Sequence, residues 1–89
     1  MKSSVTKDFR DQLARLPEAV QDQAARAYAL WESDPHHASL SFKRVSQRQL
    51  IYSVRVGTGY RALGLQEGDR MYWFWIGSHA DYDSLVRRI

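Results

Sequence analysis

The chain has 89 residues, a net charge of +3, a pI near 9.5 and no cysteine. That length supports one domain with a single modest core, and the missing cysteine excludes disulfide scaffolds and thiolate zinc sites and suits a reducing cytoplasm. No run of about 18 apolar residues occurs, and the opening MKSSVTKDFRDQ lacks the apolar stretch of a signal peptide; the expectation is one cytoplasmic domain over 1–89 with no membrane span.

Taken in chain order, Val5, Phe9, Leu13 and Leu16 form an apolar stripe at helical spacing, which predicts a first helix over roughly Thr6 to Arg15. Pro17 suits the first turn of a second helix, in which Val20, Ala24, Ala27 and Trp31 keep the period until the Ser33-Asp34-Pro35 stop. Strands are expected near Ser41 to Ser46 and over Leu50 to Val56, Tyr60 to Leu65 and Met71 to Gly77. Alternation puts Tyr52, Val54 and Val56 on one face and Ser53 and Arg55 on the other. The run MYWFWI suits an interior strand covered on both faces, with Trp73 and Trp75 on one side and Tyr72, Phe74 and Ile76 on the other; the two tryptophans, which could also offer a stacking platform for bases, are read as core. A closing helix follows, with Ser78 as cap, Asp81 at the capping-box position, and Arg87 and Arg88 at the C-terminal end. Helices first and strands afterwards argue for an α+β fold: a helical hairpin on a largely antiparallel sheet of three to four strands, then a short C-terminal helix.

Charge is unevenly spread. Residues 1–35 hold five Lys/Arg against six Asp/Glu, whereas 36–89 hold eight against four, and 42–66 carry Lys43, Arg44, Arg48, Arg55 and Arg61 with no acid. Such a block points to a polyanion or phosphate partner, with solvated surface charge as the plain alternative. If Gly57-Thr58-Gly59 is a three-residue hairpin loop, Val56 pairs with Tyr60 and Arg55 faces Arg61. Like charges directly across a strand pair are destabilising. A bound phosphate removes that repulsion and accepts forked hydrogen bonds from both guanidinium groups.

His79 opens the last helix as a group able to accept a proton, and Tyr82, three residues on, shares its side. A Ser-His pair also serves as a simple cap, and Tyr82 also suits a core. His36 and His37 lie on a loop without a third ligand, so no metal site is expected. The sequence has no G-x-x-x-x-G-K-[ST] loop, no H-E-x-x-H and no cysteine nucleophile, which excludes several enzyme classes.

The segments LSFKRV and YSVRVGTGYRALG, the ending WFWIGSHADYDSLV, and the Leu16-Pro17 helix junction together resemble the RelE/ParE superfamily of bacterial toxins from type II toxin–antitoxin pairs. The R-V-G-turn-Y-R hairpin carries the likeness most strongly, although its turn is one residue longer than the common form. The resemblance implies a RelE-like toxin held by a cognate antitoxin, needing no cofactor or metal. It would cleave mRNA on the ribosome by attack of a ribose 2′-hydroxyl on the adjacent phosphate, which requires a proton acceptor, cations for the phosphate and a donor for the leaving oxygen. Arg61, His79 and Tyr82 are the expected catalytic residues, and Arg55, Arg61, Lys43, Arg44 and Arg48 the expected phosphate or RNA contacts. The alternatives are a ParE-type toxin that inhibits DNA gyrase without nuclease chemistry, or a degenerate member that only binds its antitoxin.

Overall fold

The computed structural model describes all residues from Met1 to Ile89. Its elements, in chain order, are β1 (Lys2–Val5), α1 (Lys7–Ala14), α2 (Glu18–Ser33), a single 3₁₀ turn (Ala38–Leu40), β2 (Lys43–Arg44), β3 (Ile51–Val56), β4 (Tyr60–Glu67), β5 (Arg70–Ser78) and α3 (His79–Val86). The five strands form one sheet in the order β1-β5-β4-β3-β2. Strands β2 to β5 are antiparallel to one another in sequence, and β1 runs parallel to β5. The α+β class is as expected, with one strand more than the sequence indicates.

That extra strand is KSSV, too short and too polar for alternation to reveal it. It is specified by the free edge of β5: Lys2 N donates to Asp69 O, Thr6 N to Trp73 O, and the Arg70 guanidinium reaches Ser3 O at 3.3 Å and Ser4 Oγ at 2.7 Å. Val5 therefore belongs to a strand, not to the first helix, yet still packs on the same core as Phe9, Leu13 and Leu16. At the other edge, the strand expected over Ser41 to Ser46 shrinks to two residues. Ser41 adopts a left-handed φ of 45° as it leaves the 3₁₀ turn, and Ser46 already belongs to the next bend.

Helix α1 starts where Thr6 Oγ1 accepts Phe9 N at 3.1 Å. Pro17 stands just before α2 and lends its carbonyl to Val20 N and Gln21 N, while the Gln21 side chain donates to Leu16 O at 3.0 Å and closes the corner between the helices. Both helices lie on one face of the sheet, over a core of Val20, Ala24, Trp31, Leu40, Val54, Val56, Ala62, Met71, Trp73 and Ile76. Trp31 meets Trp73 edge to face at 5.2 Å. A smaller core of Ile51, Leu63 and Tyr82 lies on the opposite face, under α3.

The expected pattern along β5 needs correction. Trp73 and Ile76 face the helical hairpin, whereas Phe74 and Trp75 pack toward α3. The cause is a register shift: Gly64 pairs with Trp73 and Leu63 with Trp75, leaving Phe74 as an extra residue. A bulge of this kind inverts the side-chain alternation beyond it, so the two tryptophans part. With Trp75 on the α3 face, its ring lies across Gly77, where an added Cβ would come within 2.6 Å of it.

Candidate functional site

The hairpin between β3 and β4 has the three-residue loop Gly57-Thr58-Gly59, and Val56 pairs with Tyr60. Gly57, the first loop residue, takes the left-handed conformation with φ 59°, and the loop rests against Gln23 of α2. The register then places Arg55 directly opposite Arg61. Side chains of directly opposed residues project from the same face. That face is the one carrying Ser53, Leu63 and α3, because Val54 and Ala62 point into the core under α1 and α2.

Neither arginine is neutralised. Lys7 pairs with Asp11 at 2.8 Å and His79 Nδ1 lies 3.1 Å from Asp83 Oδ2, while no carboxylate reaches Arg55 or Arg61. Arg61 is held differently from its neighbour: its guanidinium carbon lies 5.7 Å from the centroid of the Tyr82 ring, a cation–π contact, whereas Arg55 is exposed. Arg55 also lines an open cleft with Gln23 and Arg26 of α2.

Helix α3 is capped as its sequence indicates, with Ser78 Oγ accepting Asp81 N at 3.2 Å. Its first backbone N–H, from His79, donates to Gly59 O at 2.8 Å and fastens the helix start to the hairpin loop. The His79 ring meets Tyr82 edge-on at 5.9 Å, and its Nδ1 faces Asp83 Oδ2, one turn on. That contact fixes one ring nitrogen and leaves Nε2 as the free one on a half-exposed side chain. Arg61 and His79 thus flank one aromatic ring from two different elements.

Tyr82 occupies another position than a leaving-group donor requires. It is 6% exposed, and its hydroxyl donates to Ser53 Oγ at 3.1 Å, inside the smaller core. The ring is therefore a platform beneath Arg61 and His79, with its hydroxyl committed to the sheet.

The remaining cations separate by strand parity and by loop. Lys43 lies across from Ser53 and so shares the face of Arg61, while Arg44 lies across from Tyr52 on the other face. Arg44 is engaged with the backbone: Nε donates to Ser46 O at 2.7 Å and Nη2 to Gln47 O at 3.2 Å. Arg48 stands apart from Arg61, beside Arg87 and Arg88 at the end of α3. His36 and His37 diverge, the first packing beside Phe42 and the second accepting Ser39 N at 3.1 Å. No three His, Asp or Glu side chains converge on one point. Ser53 and Asp83 are partners that the sequence reading does not single out. The His79–Asp83 spacing of one helical turn is a usable signal, whereas the Ser53–Tyr82 bond joins residues 29 apart and leaves none.

Comparison with known proteins agrees with this architecture. Residues 18–84 match the family model described as the ParE-like toxin domain. No curated protein sequence matches the chain. Among solved structures, the RelB–RelE antitoxin–toxin complex of Methanococcus jannaschii superposes with a TM-score of 0.72 at 16% identity, over 91% of this chain and 95% of that one. A YoeB/ParE toxin from Agrobacterium tumefaciens gives 0.69 at 14% identity, over 89% and 99%, and the isolated RelE toxin of E. coli gives 0.64 at 10%, over 99% and 98%. Identities this low show a shared fold. The match over residues 18–84 spans most of the sequence, and the chain belongs to the ParE-like toxin domain family.

Proposed function

We propose that this chain is the toxin of a type II toxin–antitoxin pair and that it cleaves mRNA on the ribosome without a metal ion. The observation that carries the reading is the Arg55–Arg61 pair: two arginines directly opposite each other across β3 and β4, neither in contact with a carboxylate, with His79 beside the Tyr82 ring that supports Arg61. A phosphate diester seated on Arg61 and Arg55 would have its charge balanced as it passes through the pentacoordinate state. His79 Nε2 accepts the proton of the ribose 2′-hydroxyl while Asp83 holds Nδ1. The new bond joins O2′ to phosphorus and the P–O5′ bond breaks, giving a 2′,3′-cyclic phosphate and a 5′-hydroxyl. The leaving oxygen takes its proton from solvent, since the Tyr82 hydroxyl is committed to Ser53. Lys43, on the same face, extends the contact to the neighbouring backbone.

The solved complexes of similar fold pair a RelE toxin with a RelB antitoxin, and a cognate antitoxin is the proposed partner here. A second reading follows from the family model itself, which is described as ParE-like: a toxin that inhibits DNA gyrase by binding, with two acids on α3 where an RNA strand would run.

Induced expression with mapping of transcript 5′ ends separates the two. Cleavage is expected in the unaltered chain, to fall by about 10²–10³ with Arg61→Ala and by about 10²–10⁴ with His79→Ala. Growth arrest that survives both substitutions with transcripts intact, accompanied by DNA damage, would replace the nuclease with the gyrase reading.

A further inference from the structure

The bend between β2 and β3 is a built element. Ser46 is buried, and its Oγ accepts Arg48 N at 3.3 Å and Gln49 N at 3.2 Å. From outside, the Arg44 guanidinium grips Ser46 O and Gln47 O. The bend so fixed presents Arg48 to the C-terminal end of α3. There Arg48, Arg87 and Arg88, with Ser46, Gln49 and Ile89, line an open cleft of about 420 Å³. No carboxylate side chain lies within 4 Å of any of the three guanidinium groups.

Arg87 and Arg88 alone would be explained by the negative end of the α3 dipole. Arg48 would not. It belongs to no helix and comes from a segment 39 residues before Arg87, and the bend that carries it is fixed at its backbone by the Ser46 hydroxyl. Cations brought together from distant segments repel one another until an anion joins them. The cleft also has a defined relation to the hairpin site. Arg61 and His79 stand at the start of α3, this cluster at its end, and eight residues of helix separate the two by about 12 Å. Lys43 lies between, across from the Ser53 that holds the middle of the helix.

We propose that Arg48, Arg87 and Arg88 form a second phosphate subsite, which takes the backbone of the same single RNA strand a few nucleotides from the bond held at Arg61. The proposal rests on the RNA reading given above. Binding at this subsite sets affinity and register and has no part in the chemical step.

The test uses the full chain and uncleavable 2′-O-methyl oligoribonucleotides. A hexanucleotide spans both clusters, whereas a dinucleotide covers only one. Arg48→Ala and Arg87→Ala are expected to weaken hexanucleotide binding several-fold and to flatten the dependence of log K on log salt by about 0.7 for each phosphate that is no longer neutralised, leaving dinucleotide binding unchanged. Hexanucleotide binding that depends on Arg61 but not on Arg48 or Arg87 overturns this proposal alone. Absence of hexanucleotide binding by the unaltered chain also overturns this proposal, whereas the RNA reading stands or falls on the mapping of transcript 5′ ends.

Discussion

Between the sheet and α1 and α2 lies one continuous core of ten buried apolar residues, whereas the core between the sheet and α3 has three. The thick side is centred on Trp31 and Trp73, whose indole Nε1 atoms are buried without a hydrogen-bond partner. The thin side is covered by one helix of eight residues, held by the Tyr82–Ser53 hydrogen bond as well as by Leu85 and Val86. An eight-residue helix covers only a strip of a five-stranded sheet, so the rim of β3 and β4 stays in solvent with Arg55 and Arg61 on it. Stability and chemistry are thereby assigned to opposite faces, and substitutions on the two faces should fail in different ways.

The largest effect belongs to the thick face. Trp73→Ala removes a side chain that is 2% exposed and should lower the unfolding free energy by about 3–5 kcal/mol, read by urea denaturation. A smaller loss than that of Tyr82→Phe would break the comparison. Tyr82→Phe deletes one buried hydrogen bond and leaves Ser53 Oγ without its partner, at about 1–2 kcal/mol. It keeps the ring beneath Arg61, so cleavage should continue at an unchanged rate; its loss would show that the hydroxyl acts on substrate. The smallest effect has the opposite sign. Arg55→Thr relieves the like-charge pair and should stabilise the fold by about 0.2–1 kcal/mol while weakening RNA cleavage. The gain should shrink as salt is raised, because the pair stands at the surface. A destabilised Arg55→Thr chain would mean that the two guanidinium groups do not repel.

Much of the site is legible locally, because its parts are local. The GTG loop between two strand-forming runs fixes the hairpin register, and with it the opposition of Arg55 and Arg61. Ser78 and Asp81 mark the start of α3. Lys43 and Arg44 are recognisable as facing opposite ways, but which of them joins Arg61 depends on the pairing of β2 with β3. Arg48 falls within the acid-free block, yet its neighbours Arg87 and Arg88 come from the far end of the chain. The bulge at Phe74 is invisible to a period-two reading, since every residue of MYWFWI is apolar and no polar position marks the change of face.

By itself, the sequence determined the elements whose signals lie within a few residues of one another: the two amphipathic helices, the three long strands, the hairpin turn and the cap of α3. Tertiary structure alone decided β1, the parting of Trp73 from Trp75, the burial of the Tyr82 hydroxyl on Ser53 and the gathering of Arg48 with Arg87 and Arg88. Each of these depends on an edge, a register or a surface supplied by a distant segment. Local periodicity carries no information about such partners until the sheet has formed.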